Sequence, residues 1–165
     1  MLKEFIAKHF DNILYIQIWS EMLKVKDVHS GMEFYQPPYI ALEQNSRGKL
    51  IVNAVGTAAR NLVGTTNLDI KNPFSHPRLL VADFQKAEKI LMHAVREACG
   101  KRMFAPSPRV VIQPMEKLEG GLTDIELRVF RELCMGAGAR EVVVYVGSSL
   151  AIQGFNYDDI KRQGI

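Results

Sequence analysis

The sequence has few of the features that mark specialised protein classes. Its 165 residues include only two cysteines, Cys99 and Cys134, without a CxxC pair, which argues against a disulfide framework and a zinc site. No apolar run approaches the roughly 18 residues of a membrane-spanning helix, and no segment resembles a secretory signal. The net charge of +3 is too small to predict nucleic-acid binding.

The composition is that of a globular chain. Hydrophobic residues make up 47% of the sequence and charged residues 24%, values that exclude a largely disordered protein. The length predicts a single domain, residues 1–165, with a small insertion. Composition alone names no activity.

The N-terminal residues carry one apolar stripe. Leu2, Phe5, Ile6 and Phe10 share one side of a predicted short helix. One interpretation is a membrane-surface anchor; the other is a helix packed on its own domain or on a partner protein. We favour the second, because a single short stripe binds a membrane weakly.

The first third of the chain predicts an antiparallel meander. Residues 13–18 form a continuous apolar run, residues 22–28 alternate strictly, and a third strand is expected from residue 32 to residue 42. Residues 43–82 are less regular, and we assign them to the insertion.

Two helices are predicted with their caps. Asp83 precedes an amphipathic stretch that reaches Cys99. Thr123 and Glu126 form a capping-box pattern that opens a second helix, with Ile125 among its inward residues.

Strands at residues 109–112 and 141–146 follow these helices, and a short helix is predicted at residues 149–153. Residues 156–165 are expected to fray. The order predicts an α/β fold, a ribonuclease-H-like mixed sheet of five strands with helices on both faces, as in one lobe of an actin-like ATPase.

Five segments carry a more specific resemblance. They are Met1-Leu2-Lys3, Ala54-Val55-Gly56, Val81-Ala82-Asp83-Phe84, Pro106-Ser107-Pro108-Arg109-Val110 and Gly136-Ala137-Gly138-Ala139-Arg140-Glu141-Val142. Their order and spacing resemble MreB, the bacterial actin-like family that determines rod shape. The resemblance covers nearly the whole chain but only about the first half of the family.

The resemblance implies an ATP site whose motifs are degenerate in this chain. The family's first phosphate loop, Asp-x-Gly-Thr, is matched by Gln17, Ile18, Trp19 and Ser20, so the carboxylate is lost and the glycine is replaced by an indole. The Glu-Glu-Pro hydrolysis motif is matched by Val146, Gly147 and Ser148, which carry no carboxylate to orient water. The second phosphate loop and the adenosine pocket would lie beyond residue 165.

These departures predict a protein without ATPase activity, cofactor or metal. We expect a structural or adaptor protein of cell shape in the cytoplasm, at the inner membrane face if the stripe contacts lipid. In the family, C-terminal helices cover this lobe. Here that surface must be repacked, covered by the altered C-terminus, or buried against a second copy, a full-length MreB-like protein or another cell-shape protein. The alternatives are a nucleotide switch whose second lobe comes from a partner chain, and a decayed gene product without a present role.

Overall fold

The computed structural model describes residues 12–100 and 106–165. The strands are β1 Ile13–Ile18, β2 Leu23–Asp27, β3 Glu33–Gln36, β4 Ile40–Gln44, β5 Leu50–Val55, β6 Asp69–Lys71, β7 Arg109–Pro114 and β8 Glu141–Val144. The helices are α1 Thr57–Asn61, α2 Phe84–Cys99, α3 Asp124–Gly136 and α4 Tyr157–Gln163.

The main sheet has five strands in the order β3-β2-β1-β7-β8. β1 pairs antiparallel with β2 and parallel with β7, and β7 pairs parallel with β8. The predicted mixed sheet is therefore confirmed. Because β1, β7 and β8 run in the same direction, their carboxyl ends meet at one edge, which we call the carboxyl edge.

α2 and α3 form the predicted layer on one face of the sheet, and both predicted caps are present. The Asp83 side chain accepts the backbone N–H of Lys86, and Thr123 and Glu126 form the reciprocal capping box. The prediction for Ile125 is wrong, because this side chain is 76% exposed. Leu127 is the buried residue of the first turn instead.

A second sheet has three strands in the order β5-β4-β6. It extends from Ile40 to Lys71 and so overlaps the insertion predicted at residues 43–82. Residues 40–42 belong to this sheet rather than to the third strand of the meander, since β4 pairs with β5 and β6. Pro37 and Pro38 separate β3 from β4, because proline lacks the N–H that would continue a ladder.

The C-terminal residues differ most from expectation. No helix forms at residues 149–153, and the stretch expected to fray forms α4, capped by the Asn156 side chain. Its buried residues Tyr157 and Ile160 pack on the second face of the main sheet. The sheet residues in that cluster are Ile13, Tyr15, Val111 and Val143. The C-terminal helix α4 therefore covers part of this face of the sheet.

Candidate functional site

The carboxyl edge brings together both predicted motifs. Gln17 and Ile18 end β1, and Trp19 and Ser20 begin the turn to β2. Residues 146–148 follow β8 at the same edge, although β8 ends at Val144 rather than at the predicted residue 146. Residues 115–117, which follow β7, lie between them in the strand order.

Two buried glutamines occupy the centre of this edge. Gln17 and Gln113 are partners in the β1–β7 register and are 7% and 1% exposed. Gln113 accepts a hydrogen bond from the Tyr15 hydroxyl, and its Nε2 donates to the carbonyl oxygen of Gly147 at 2.7 Å. Gln17 Nε2 donates to Ser149 Oγ at 3.2 Å. Both side-chain amides are neutral and are engaged in hydrogen bonds. They therefore supply no negative charge that could bind a metal ion or deprotonate a water molecule.

Tyr15 connects the same network to the segment after β8. Its hydroxyl oxygen accepts the backbone N–H of Leu150 at 3.0 Å. Burial raises the pKa of Tyr15, although the Leu150 N–H opposes that shift. Tyr15 therefore acts as a neutral hydrogen-bonding group.

The turn predicted to match the first phosphate loop is closed by its own backbone. The N–H of Trp19 donates to the carbonyl oxygen of Met22 at 2.9 Å. The indole of Trp19 is half-buried in the turn. The Trp19 N–H is consequently unavailable to a ligand without opening the turn.

The Ser20 N–H has an anionic partner within the chain. It donates to Glu116 Oε2 at 2.9 Å. Hydrogen bonding from the Ser20 side chain, and then from its backbone N–H, holds the pKa of Glu116 below its ordinary value against the opposing effect of burial. Backbone N–H and hydroxyl groups are the donors that turns offer to phosphate; here a carboxylate already accepts from them.

The Lys117 side chain connects the neighbouring part of the carboxyl edge to the loop after β6. Its Nζ donates to the carbonyl oxygens of Phe74, at 3.4 Å, of His76, and of Leu79, at 3.3 Å. Asn72 Nδ2 donates to the carbonyl oxygen of Ser20 at 2.8 Å. The loop after β6 is thus held against the turns after β1 and β7.

The segment predicted to match the hydrolysis motif, residues 146–148, is exposed, and its hydrogen bond to the site comes from backbone. The Gly147 carbonyl accepts from Gln113, and a Cβ at Gly147 would lie 2.6 Å from the Tyr145 hydroxyl oxygen. Within residues 12–100 and 106–165, no three His, Cys, Asp or Glu residues are grouped to hold a metal ion.

Sequence reasoning did not identify Glu116, Lys117 and Asn72 as parts of this site. Their partners lie 96, 38–43 and 52 residues away, and no local pattern indicates such pairs. The stripe of Leu2, Phe5, Ile6 and Phe10 lies outside the described residues. Among the described helices, none is long and apolar enough to cross a membrane.

Comparison with known proteins gives consistent matches. A family model described as MreB/Mbl protein matches residues 21–164. The cell shape-determining protein MreB of Escherichia coli is 32% identical over 145 residues, which are 86% of this chain and 40% of that protein. The chain therefore spans about 40% of the length of this relative.

Solved structures agree on the fold. The crystal structure of Spiroplasma citri MreB5 bound to AMPPNP superposes with a TM-score of 0.63 at 21% identity, over 82% of this chain and 38% of that one. The MamK double helical filament gives a TM-score of 0.57 at 15% identity, over 82% and 41% of the two chains. Both show an actin-like architecture for the main sheet and its helices.

Proposed function

The chain belongs to the MreB/Mbl family, and from this premise we propose that it is a cell-shape protein that acts through protein contacts and does not hydrolyse ATP. The family includes cell shape-determining proteins. The non-catalytic part of the proposal rests on the chemistry of the carboxyl edge.

The observation that carries the proposal is the Glu116–Ser20 hydrogen bond at 2.9 Å. A phosphate that used the Ser20 N–H would have to displace a carboxylate already bonded there. Before that displacement it would also meet the negative charge of Glu116, since like charges repel strongly at such distances. Trp19 adds a steric obstacle where a phosphate needs close approach to backbone.

Hydrolysis needs a group that orients and deprotonates water, and the residues at the predicted motif positions carry none. Gln17 and Gln113 are neutral amides engaged in hydrogen bonds. Val146, Gly147 and Ser148 carry no titratable side chain near neutral pH. This supports a protein whose state does not depend on nucleotide turnover.

Self-association is part of the same proposal. MamK, which shares the fold, forms a double helical filament. We place this chain among proteins that contact themselves or a full-length MreB-like protein. The stripe of Leu2, Phe5, Ile6 and Phe10 would contribute a protein contact or a contact with the inner membrane face. The second candidate is a nucleotide-dependent switch completed by another chain, and ATP binding separates the two.

Nucleotide binding is tested through Trp19, the single tryptophan of the chain. Mg-ATP is titrated while Trp19 emission is followed, with calorimetry in parallel. We expect neither signal to saturate at cellular ATP concentrations. Saturable binding by the wild-type chain would favour the switch, and release of inorganic phosphate from ATP would contradict the non-catalytic part of the proposal. The variant Glu116→Gln, which removes the negative charge, tests whether Glu116 is what excludes the anion.

The cell-shape part is tested separately. The chain is produced in Escherichia coli, whose MreB is 32% identical, and cell width is measured. We expect wider or rounded cells. The control is Val25→Asp, which places a charge at a fully buried core position and removes the fold. Unchanged cell width with folded protein present would contradict a role in cell shape.

A further inference from the structure

The outer edge of β5 is an unusual surface for a small sheet. Leu50, Ile51 and Val52 are consecutive apolar residues that are 40%, 48% and 37% exposed. Successive side chains of a strand point to opposite faces, so both faces of β5 are open here. β5 pairs only with β4 among the described residues, and its other edge has no strand partner in residues 12–100 and 106–165.

Such an edge is normally protected. Proteins place lysine, proline or a bulge along an exposed edge strand to prevent pairing with another chain. The chain has an irregularity where Val52 and Ala54 face Leu42 and Ala41, so it begins at the last of the three apolar residues and leaves Asn53 without a register partner on β4. The stretch from Leu50 to Val52 pairs in regular register with β4 and contains no lysine or proline.

We propose that β5 pairs antiparallel with β5 of a second copy of this chain, with the two-fold axis at Ile51. This register places Ile51 opposite Ile51 and Leu50 opposite Val52 on both sides. Other registers place an apolar residue opposite Asn53 or Gly48. Opposed apolar and β-branched pairs are the stabilising unit of an antiparallel ladder. The symmetry closes the assembly as a dimer.

Charge also fits a second copy. In this register Lys49 of one copy lies beside Asn53 of the other, at the irregularity of β5. Asn53 Nδ2 donates to Glu43 Oε2 at 3.3 Å, which directs a carboxylate towards the incoming Lys49. Glu43 is opposite Ile51 in the β4–β5 register, so the carboxylate and the ammonium would share one face. The dimer would contain two such Lys49–Glu43 approaches, one on each side of the axis.

This inference names one protein contact of the proposed function. It rests on the proposal that the chain acts through protein contacts, and not on the proposal that it does not hydrolyse ATP. If the chain is monomeric and binds no ATP, the dimer is wrong and the non-catalytic role stands. If the chain dimerises through β5 and hydrolyses ATP, the dimer stands and the non-catalytic role is wrong.

The experiment is sedimentation velocity over a concentration series. We expect the wild-type chain to pass from monomer to dimer and Ile51→Lys to weaken dimerisation by about tenfold or more, because two ammonium groups would face each other at the axis. Ile125→Lys is the matched control, since Ile125 is an exposed isoleucine on α3, and it should dimerise like wild type. A wild-type chain that stays monomeric, or a dimer unaffected by Ile51→Lys, would overturn the proposal.

Two further variants test the register. Lys49→Glu should weaken the dimer, and Lys49→Glu combined with Glu43→Lys should restore it, since the charges are exchanged. Ile51→Cys should form an intermolecular disulfide under mild oxidation, whereas Ile125→Cys and the wild-type chain, which has only Cys99 and Cys134, should not. Failure of both the charge exchange and the crosslink would exclude pairing centred on Ile51.

Discussion

The Glu116 carboxylate and the Ser20 N–H are joined by a 2.9 Å hydrogen bond across 96 residues of sequence. Ser20 lies in the turn after β1 and Glu116 in the turn after β7, so the contact connects two neighbouring parallel strands at their carboxyl ends. It is a charge-assisted bond, a class that is shorter and stronger than neutral hydrogen bonds. The bond therefore stabilises the carboxyl edge and engages the Ser20 N–H.

We predict that Glu116→Gln lowers the free energy of unfolding by about 1 kcal/mol at neutral pH, since the carboxylate is partly solvated. The pKa of Glu116 is lowered in the folded state, so its contribution is present above its ordinary pKa and is lost as the pH falls through the folded-state value. The difference between wild type and variant should accordingly vanish in acid. Urea denaturation between neutral and acidic pH measures it.

Glu119→Gln is the control for this series. Glu119 is an exposed carboxylate in the same loop, and its replacement should change stability by less than about 0.5 kcal/mol at any pH. A Glu116→Gln difference that persists unchanged in acid would show that the carboxylate charge is not the stabilising feature.

Two tyrosines should respond oppositely to removal of their hydroxyl groups. The Tyr15 hydroxyl donates to Gln113 and accepts from Leu150, so Tyr15→Phe leaves buried partners unsatisfied and should cost about 1–3 kcal/mol. The Tyr157 hydroxyl is buried and has no hydrogen-bond partner among the described residues. Tyr157→Phe should therefore be neutral or stabilising by up to about 1 kcal/mol. Thermal and urea unfolding of the two variants give the comparison, and equal losses would contradict it.

Much of the main domain could be predicted because its signals are local. The alternation of Leu23 and Val25 with Lys24 and Lys26 and the cap at Asp83 each lie within a few residues, and the structure contains both elements. α4 could not be predicted in the same way. Its burial rests on Tyr157 and Ile160 alone, and only the sheet residues they contact, distant in sequence, distinguish them from a frayed end.

The candidate site was likewise predictable from the sequence only in part. The sequence resemblance implies that Gln17 and Trp19 stand where the family has the carboxylate and the glycine of its first phosphate loop. The groups that surround these residues could not be predicted, because Glu116 reaches Ser20 and Lys117 reaches the Phe74 carbonyl only through the parallel pairing of β1 with β7 and the return of the loop after β6. A sequence pattern reports which groups are absent, whereas the fold decides which groups fill the space.

Gly56 should be essential to the junction between the two sheets. It has a φ of +70°, and a Cβ there would lie 1.9 Å from Gln36 Oε1, the atom that accepts the N–H of Thr57. Gly56→Ala should destabilise the chain by about 2 kcal/mol or more, from backbone strain and loss of that bond. Gly64→Ala has a similar strain at φ +92° but nothing within 4 Å and should cost about 1 kcal/mol. Calorimetric unfolding measures the loss of stability in both variants. Equal losses would show that backbone strain alone accounts for the effect of Gly56→Ala.

The covering of the second sheet face by α4 is tested at Ile160. This side chain is 6% exposed and packs with Tyr157, Ile13 and Val143, so Ile160→Ala should lower the free energy of unfolding by about 2–4 kcal/mol. Ile165→Ala is the control, because Ile165 is 55% exposed and its truncation should change stability by less than about 0.5 kcal/mol. Hydrogen exchange at β8 should also increase in Ile160→Ala, since β8 is the edge strand beneath α4. If Ile160→Ala instead behaves like Ile165→Ala, α4 does not cover the face in solution, and the apolar residues of β1, β7 and β8 there would need a partner protein to bury them.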